Sequence, residues 1–555
     1  MQMVMPIGRD DFADVRSGYY YVDKTSFLRV FLKRHAQVTL FTRPRRFGKT
    51  LTMSMMRYFF DIEGAEKHRR LFDGLAVSDD AEAMAQQGTR PVLFLTLKEW
   101  GRISWKLQQE SIRWNIGELF SQYDFILQDD LKERDRMIFQ RILEGRGELT
   151  VYSDALAFLL RLLEAHYGKK PVLLLDECDA PVQAAWEHDY YKEAMDFFRR
   201  FFSVALKTNP SLDFAILTGV LRISKENIFS ALNNLKVDSV LQTQYPEAYG
   251  FTSAEVAKMA RDFGREDKLP EIRNWYDGYR FDGREIYNPW SVINYFDNSC
   301  RPRAYWVNTS GNAILGEMLR HAKSKTLDEL EAVLQGGTVS ALVDESFIYN
   351  EIYRNQNALY TMLVTTGYFT IERVKDTDLG MDASLIIPNR EIRALFRREV
   401  ISRYRSDDMN IELIEFMQAF VEGDLATVQE GLSEYLEVLT SSFDAAKGKE
   451  AFYHGFVLGM IAVLTGDYRI RSNRESGYGR YDIAAFPKQE GKRGMIIECK
   501  TAKQETTLEQ EAQAALQQIT DRNYDSEFRA LGVTDVLHYG IAFCGKRVCV
   551  KQAGK

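Results

Sequence analysis

The stretch TRPRRFGKTLTMSMM, residues 42–56, contains the residue types that bind the phosphates of a nucleotide. Gly48 lets backbone N–H groups approach a phosphate without a Cβ in the way. Lys49 is placed to neutralise phosphate charge, and the hydroxyl of Thr50 is a ligand for Mg²⁺. The helix expected after it adds the positive end of its dipole. This order of residues predicts a phosphate-binding loop.

The first glycine of such loops, in the pattern G-x-x-x-x-G-K-[S/T], is replaced here by Arg43. A bulky side chain at this turn predicts slow hydrolysis with nucleotide binding preserved. With Arg45 and Arg46 it forms a set of three arginines that we expect beside the phosphates. The alternative is a basic strand–turn–helix without a ligand. The predicted nucleotide-binding residues of the loop are Arg45, Arg46, Phe47, Gly48, Lys49, Thr50 and Leu51.

An acidic pair at the end of an apolar run is the expected partner of that loop. In LLLDECDAP, residues 173–181, Asp176 fits the acid that holds Mg²⁺ through its water shell. Glu177 fits the base that activates water in an ATPase. Two interpretations stay open for Thr218 and Arg222: contacts to the γ-phosphate, or a strand cap and a surface arginine.

Near the C-terminus, three residues have the types and spacing of a metal-dependent nuclease. Such a site needs carboxylates that converge on one or two divalent ions, and a lysine near the attacking water. Asp482 lies in YDIAAFP, residues 481–487, and Glu498 and Lys500 lie two apart in GMIIECKTA, residues 494–502. Since side chains two apart share one face of a strand, we expect Asp482 and Glu498 to hold the metal beside the lysine. The alternative is a surface hairpin with a chance pattern.

Other residues around this hairpin have weaker patterns. Glu450 begins a predicted helix and is a candidate fourth carboxylate. Gln513 or Gln517, in a later helix, is a candidate to position water or phosphate. His454 lies on an apolar helix, which favours a packed core histidine over a metal ligand. Cys499 is expected on the opposite face of its strand, in the core.

These residues need a scaffold, and apolar runs in the first half of the chain predict one. Helical patterns separate the runs: a helix from about 49 to 60, and a long helical region over 100–168. Strands that alternate with helices predict an α/β unit with a mostly parallel sheet. The predicted strands are residues 37–42, 91–97, 171–177 and 213–220.

After this unit the pattern changes to short helices and loops with many aromatic residues. The stretches NWYDGYRF, 274–281, and YWVNTSGN, 305–312, are interpreted as packing between domains in preference to surfaces that stack bases. Residues 358–374 predict a helix, a glycine turn and a strand, as in a small winged-helix-like unit. An α+β region follows, with a terminal strand predicted at 537–550.

Composition and charge exclude several classes of protein. Hydrophobic residues make up 45% and charged residues 27%, as in ordinary globular proteins. The net charge of −7 argues against nucleic-acid binding over the whole surface but allows a local basic groove. The five cysteines show no paired spacing, which argues against disulfides and structural zinc. No signal peptide or membrane span is legible, so we expect a cytoplasmic protein.

Several motifs together resemble one family of proteins. They resemble the bacterial and archaeal AAA-ATPase-like family that carries a C-terminal PD-(D/E)xK nuclease domain, over nearly the whole chain. The arginine-rich RPRRFGK in place of the first loop glycine is typical of that family. The motifs are VDKT (22–25), RPRRFGKT (43–50), DECDAPV (176–182), TGVLRISKENIFS (218–230), NWYDGYRF, YNPWS (287–291), FYHGFVLG (452–459) and YDIAAF with IIECK.

The resemblance and the residues together predict an α/β multidomain protein, since 555 residues exceed one core. Its parts would be an N-terminal P-loop NTPase with a parallel sheet, a helical and winged-helix-like middle, and a C-terminal α+β domain of restriction-endonuclease type. The predicted domains are the AAA-ATPase-like domain at 1–245, the lid and winged-helix-like region at 246–405, a polar helical connector at 406–435 and the nuclease domain at 436–555.

The expected function is that of an ATP-binding, Mg²⁺-dependent DNA endonuclease, with Mn²⁺ as a second candidate metal at the nuclease site. ATP would bind between the α/β domain and the 250–405 region and gate the nuclease. The resemblance implies defence against foreign DNA or service to a mobile element. The alternative is a nucleotide-regulated DNA-binding scaffold with an inactive nuclease site. DNA is favoured over RNA, no membrane partner is expected, and a homo-oligomer is left open.

Overall fold

The computed structural model divides the chain into two compact units. The first contains the described residues of 1–309 and 335–392, and the second those of 310–334 and 393–555. These units are larger than the predicted domains, whose boundaries stay a prediction. The structure describes residues 4–220, 233–306, 329–330, 332–334, 336–344, 355–378, 380–402, 413–440, 450–461, 464, 467–476, 479–489, 491–545 and 547–553.

Five parallel strands form the central sheet of the first unit. Their order is β2-β3-β4-β1-β5, so β4 lies between the strand before the phosphate loop and the strand that ends in Asp176. The four predicted strands are confirmed, and β5 was missed because LKVD is short and only partly apolar. The strands are β1 (Val38–Thr42), β2 (Val92–Thr96), β3 (Val172–Asp176), β4 (Ala215–Gly219) and β5 (Leu235–Asp238).

Apolar residues cover both faces of this sheet, as parallel sheets require. On β3, Leu173 and Leu175 pack into one core, whereas Val172 and Leu174 pack into another. Successive residues of a strand point to opposite faces, which produces this division. The helix after the phosphate loop, Lys49–Phe60, packs in the second of these cores.

Helices connect the strands of the first unit. The predicted helix over 49–60 is confirmed as Lys49–Phe60. The predicted long helical region over 100–168 is confirmed and consists of several helices. They are separated by a 3₁₀ turn at Asp124–Gln128 and by Gly145 and Gly147, which both have a positive φ. The α-helices of the first unit are Phe12–Gly18, Ser26–Arg34, Lys49–Phe60, Ala65–Arg69, Ala81–Met84, Trp105–Ser121, Glu133–Leu143, Leu149–Ser153, Ala155–Tyr167, Ala180–Glu187, Tyr191–Leu206, Ser253–Asp262, Leu269–Tyr276, Pro289–Asp297 and Gln356–Thr366.

Two small antiparallel sheets lie in the middle region, which we define as the described residues of the first unit after 245. The helix Gln356–Thr366 ends at Gly367, where φ is 89°, and a strand follows, as predicted. One sheet is a hairpin and the other has the order β8-β10-β9. The strands are β6 (Tyr279–Phe281), β7 (Arg284–Ile286), β8 (Val339–Val343), β9 (Thr370–Thr377) and β10 (Gly380–Ile386).

The second unit has a mixed sheet in the order β11-β12-β13-β14-β15. β13 and β14 are parallel, and the other neighbours are antiparallel. The predicted hairpin is confirmed as β12 and β13. The single strand predicted at 537–550 is wrong, because Gly545 adopts a positive φ and turns the chain back. The strands are β11 (Tyr468–Ser476), β12 (Gly479–Pro487), β13 (Gly494–Thr501), β14 (Val536–Cys544) and β15 (Arg547–Ala553).

Helices pack on the second sheet. Residues 413–440, in and beyond the predicted polar connector, bury Phe416, Phe420 and Leu432 in the core of this sheet. Tyr539 donates a 2.7 Å hydrogen bond to the carbonyl of Phe420. In the described part of the chain, no helix is both long and apolar enough to span a bilayer. The remaining α-helices are Arg390–Ser402, Leu413–Glu422, Leu425–Thr440, Glu450–Ile461, Leu508–Asp521 and Ser526–Ala530.

Candidate functional sites

The phosphate loop joins the end of β1 to the helix Lys49–Phe60. Gly48 precedes this helix with a φ of 84°, a left-handed conformation that residues with a Cβ rarely adopt. A Cβ here would meet no atom within 4 Å, so the backbone conformation, and not space, requires glycine. The N–H groups of the first helical turn lie beyond it, where an anion is favoured.

The side chain of Lys49 is only 6% exposed and closes the loop from inside. Its Nζ donates to the carbonyl oxygens of Arg43 and Pro44, at 2.8 and 2.9 Å. Burial lowers the pKa of Lys49, and the carboxylate of Glu177 opposes this shift. An ammonium group on two carbonyl oxygens can exchange them for phosphate oxygens, so Lys49 fits a phosphate-binding lysine.

Asp176 connects the loop to the neighbouring strands. Its Oδ2 accepts a 2.8 Å hydrogen bond from Thr50 Oγ1, and its Oδ1 accepts one from Thr218 Oγ1. Because β4 lies between β1 and β3, the order of the strands brings these three side chains together. Hydroxyl and carboxylate oxygens are the ligands that Mg²⁺ prefers, so the donor set fits the metal of a nucleotide complex.

Glu177 follows Asp176 in a left-handed backbone conformation, with a φ of 51°. Its N–H donates to Thr218 Oγ1 at 3.1 Å. Burial raises the pKa of Glu177, and the charge of Lys49 opposes this shift. Strained residues of this kind cluster at functional sites. Its role as a base stays a prediction, and Arg222 lies outside the described residues.

Arg43 differs from the expectation that it lies beside the phosphates. Its side chain is fully buried, and Nη2 donates to Asp238 Oδ1 at 2.6 Å and to Thr243 Oγ1 at 2.9 Å. Its guanidinium also faces the rings of Tyr249 and Phe281. The residue at the position of the first glycine therefore ties the loop to the end of β5.

Arg45 and Arg46 form the turn of the loop. Arg45 donates to Gln183 Oε1 at 3.1 Å. Arg46 is exposed, has a left-handed φ of 68°, and places its guanidinium carbon 4.0 Å from the centroid of the Trp290 ring. A stack of this kind stabilises by about 0.5–1 kcal/mol, which is close to the ~1 kcal/mol cost of the left-handed conformation. The stack alone therefore does not outweigh the cost of this backbone conformation.

The middle region covers the loop. The ring of Phe47 is buried 5.0 Å from that of Tyr279. Gly367 approaches so closely that a Cβ there would lie 2.9 Å from the Cβ of Pro44. Leu51 is partly buried in the core of the loop helix. Phe47 and Leu51 therefore hold the loop from its apolar side.

Three residues that the sequence analysis did not assign to the loop contact it or each other, and two of them, Trp290 and Trp306, lie in motifs quoted above. Trp306 Nε1 donates to the carbonyl of Arg45 at 3.2 Å, although 261 residues separate them. Glu391 accepts from the N–H of Trp306 and from the hydroxyl of Ser291. Burial raises the pKa of Glu391 to about 7, and these hydrogen bonds oppose the shift. The third is Trp290, and local patterns cannot reveal contacts over such separations.

In the second unit, β12 and β13 bring the predicted nuclease residues together. Ile483 pairs with Ile497, so Asp482 and Glu498 come next in the register. The N–H of Cys499 donates to Asp482 Oδ2 at 2.8 Å, and the N–H of Asp482 donates to Glu498 Oε2 at 3.3 Å. Each carboxylate therefore binds the backbone of the other strand. Cys499 packs in the core, as expected.

The acidic pair is placed to gain from a cation. Glu498 is only 4% exposed. Burial raises the pKa of Asp482, and the Cys499 N–H and the charges of His454 and Lys500 oppose the shift. A divalent ion would favour the ionised carboxylates, so this donor set of oxygens fits Mg²⁺ or Mn²⁺.

The acidic site is incomplete in the part of the chain that the structure describes. Among those residues, no three His, Cys, Asp or Glu side chains are grouped to hold a metal. Glu450 begins the helix Glu450–Ile461, but its side chain lies outside the described residues. His454, on the same helix, lies 3.1 Å from both Asp482 O and Ser472 Oγ through Nε2, in agreement with a packed histidine.

The glutamine that reaches this site is Gln518, and not Gln513 or Gln517. Gln518 Nε2 donates to Glu498 Oε1, whereas Gln513 is exposed and Gln517 bonds within its own helix. The helical period of this segment could have identified Gln518. Gln518 lies three residues after the buried Ala515, and so on the edge of the face that packs on the sheet.

Two family models match the chain in the order that the motifs indicate. Residues 6–229 match the model described as "Predicted AAA-ATPase", and residues 448–553 match that of the PD-(D/E)XK nuclease superfamily. A relative over nearly its whole length is "Uncharacterized protein in vnfD 5'region" of Azotobacter chroococcum mcd 1. It is 27% identical over 537 residues, which are 95% of this chain and 94% of that protein.

Proposed function

We propose that the protein is an ATP-regulated, Mg²⁺-dependent DNA endonuclease. The order of the matches, an AAA-ATPase-like domain before a PD-(D/E)XK nuclease domain, supports this proposal. The observation that carries the proposal is the pair of carboxylates, Asp482 and Glu498, that interlock across adjacent strands. Lys500 follows two residues later on the same strand. The bond between Thr50 and Asp176 supports the nucleotide-binding half of the proposal.

At the acidic site, Asp482 and Glu498 are proposed to hold the divalent ion, with Glu450 as a further carboxylate. When bound, the ion supplies a Lewis acid for the phosphodiester and lowers the pKa of the attacking water. Lys500 is proposed to orient that water and to stabilise charge on the phosphate. Gln518 keeps the Glu498 carboxylate in position through its amide.

At the phosphate loop, the ligand is proposed to be ATP with Mg²⁺, held against the N-terminus of the helix Lys49–Phe60. Hydrolysis is proposed to be slow, because a buried Arg43 replaces the flexible first glycine. Glu177 would act on water, and Thr218 would sense the γ-phosphate. The proposed nucleotide-binding residues are Arg45, Arg46, Phe47, Gly48, Lys49, Thr50, Leu51, Asp176, Thr218 and Arg222.

The nucleotide is proposed to decide whether DNA is cut. A slow ATPase suits a switch better than a motor, since its bound state persists. The proposed setting is the cytoplasm, in defence against foreign DNA or in the service of a mobile element, as the resemblance implies. DNA is proposed over RNA on the same ground.

Cleavage assays of the full chain test this proposal. Wild type and Lys500→Ala would be incubated with plasmid, linear duplex and single-stranded DNA, with Mg²⁺ or Mn²⁺, with and without ATP. Lys503→Ala is the matched control, because Lys503 is exposed three residues further on. We expect wild type and Lys503→Ala to cleave DNA at a rate that ATP changes, and we expect Lys500→Ala not to cleave it. Intact DNA under every condition, with ATP bound, would favour the scaffold with an inactive nuclease site.

A further inference from the structure

Two tryptophans of the middle region contact consecutive residues of the phosphate loop. The ring of Trp290 faces the guanidinium of Arg46 at 4.0 Å. The indole Nε1 of Trp306 donates to the carbonyl of Arg45 at 3.2 Å. Both contacts are made at the turn where the phosphates are expected. A change in the conformation of the loop therefore changes the surroundings of both rings.

One buried carboxyl group links the two tryptophans. Glu391 Oε1 accepts from the N–H of Trp306 at 2.8 Å, and Oε2 accepts from the hydroxyl of Ser291, the residue after Trp290, at 2.7 Å. Glu391 and Ser291 are 0% exposed. Since a buried polar group that loses its partner is unfavourable, a movement of either tryptophan is coupled to Glu391. Glu391 is the second residue of the helix Arg390–Ser402.

The contact between Arg46 and Trp290 is weak enough to be exchanged. At a partly exposed site, a cation–π contact equals a factor of about two to five in an equilibrium constant. A charge-assisted hydrogen bond from arginine to phosphate equals a factor of about ten or more. Arg46 also has a left-handed φ of 68°, a sparsely populated conformation of the kind that clusters at ligand-binding sites. A phosphate within hydrogen-bond distance therefore binds the guanidinium of Arg46 more strongly than the ring of Trp290 does.

We propose that Arg46 leaves Trp290 for the terminal phosphates of the nucleotide, and that Trp290, through Ser291 and Glu391, passes this exchange to the helix Arg390–Ser402. The inference rests on the proposed function, in which the loop binds ATP. Trp290 is then a positioning residue that competes with the nucleotide for Arg46. The ligand proposed to drive the exchange is the nucleoside triphosphate of the proposed function, because its terminal phosphates form charge-assisted hydrogen bonds with a guanidinium.

ATP affinities of full-chain variants test the competition. Trp290→Leu is expected to tighten ATP binding about threefold, because the competing ring is gone. Arg46→Gln is expected to weaken it about tenfold, because the phosphate contact is lost. In the double variant, Trp290→Leu is expected to have no further effect. Trp114→Leu is the matched control, since Trp114 is 70% exposed on the helix Trp105–Ser121 and is expected to leave the affinity unchanged.

Tryptophan emission gives a second readout with the milder variant Trp290→Phe. ATP is expected to change the emission of wild type and of Trp114→Phe, and to change that of Trp290→Phe and Arg46→Gln much less. The inference would be overturned if ATP binds but changes the emission of Trp290→Phe as much as that of wild type. It would also be overturned if Trp290→Leu still tightens ATP binding when Arg46 is replaced by glutamine. A wild type that does not bind ATP would overturn the proposed function itself.

Discussion

In the first unit, Thr50, Asp176 and Thr218 come from segments far apart in sequence, and the order of the parallel strands brings them together. In the second unit, Asp482 and Glu498 are 16 residues apart on adjacent antiparallel strands. The phosphate site therefore depends on long-range assembly of a whole sheet, whereas the acidic site depends on one hairpin and a helix. Changes remote from the loop should disturb nucleotide binding, and only near neighbours should disturb the acidic site.

The largest effect on activity is expected from a substitution in the acidic site itself. Asp482→Asn should reduce cleavage at least about 1,000-fold, because a neutral amide is a poor ligand for a divalent ion. ATP affinity should not change, and stability should not fall, because burial disfavours the charged form of this carboxyl. DNA cleavage and melting temperature check this, with the exposed Asp467→Asn as control. A loss of ATP binding would break the separation of the two sites.

The next effect tests the dependence of the first site on its sheet. Arg43→Gly restores the usual first glycine but leaves Asp238 buried without its charged partner, which costs about 3–5 kcal/mol. The melting temperature should fall by about 10 °C. Arg161→Gly, at an exposed arginine paired with Asp135, is the control and should move it far less. An unchanged melting temperature would show that the loop does not need β5.

Lys49→Ala should weaken ATP binding about 100-fold, because its buried ammonium group is the cation that faces the phosphates. DNA cleavage should survive but no longer respond to ATP. Isothermal titration with ATP and a cleavage assay measure the two effects. Lys192→Ala, at an exposed lysine of the first unit, is the matched control. Loss of cleavage in Lys49→Ala but not in Lys192→Ala would contradict the expectation that cleavage survives without bound ATP.

Glu391→Gln should flatten the dependence of stability on pH. Burial raises the pKa of Glu391 from 4.5 to about 7, so its contribution to stability is complete below pH 4.5 and is lost as pH rises through 7. Between pH 5 and pH 8, the free energy of unfolding of wild type should fall by on the order of 2 kcal/mol, whereas that of the variant should not show this fall. Urea unfolding at both values checks this, with the exposed Glu193→Gln as control. Equal slopes would mean that the carboxyl titrates normally.

The smallest effect concerns a neighbour of the acidic site. Gln518→Ala should reduce cleavage about tenfold and raise the metal concentration required, because the Glu498 carboxylate loses the amide that orients it. Gln517→Ala, one residue earlier on the surface of the same helix, should change neither quantity. Initial cleavage rates over a series of Mg²⁺ concentrations compare the two variants. Equal effects would assign Gln518 to the helix and not to the site.

Local patterns predicted the elements of this protein better than their assembly. The apolar runs identified β1 to β4, because buried parallel strands are apolar on both faces. They could not indicate that β4 lies between β1 and β3, since strand order depends on contacts between distant segments. β5, with the sequence LKVD, was too short and too polar to predict.

The same limit applies to the sites. A motif indicated the loop that contains Lys49 and Thr50, but it did not indicate the burial of Arg43 against Asp238. An arginine in a loop is normally solvated, and here partners distant in sequence, Asp238 on β5 among them, reverse that preference. Gln518 was missed for a different reason, because its position on the helix was not compared with the buried face.

The ion pair of Arg43 and Asp238 also imposes an order on events during synthesis. Their sequence separation is 195 residues, so the loop leaves the ribosome long before its partner exists. At a translation rate of about 5–20 residues per second, the wait is on the order of 10–40 s. During that time Arg43 is a solvated residue of an unfinished turn. The ion pair that fixes Arg43 in the phosphate loop therefore forms only after β5 has been made.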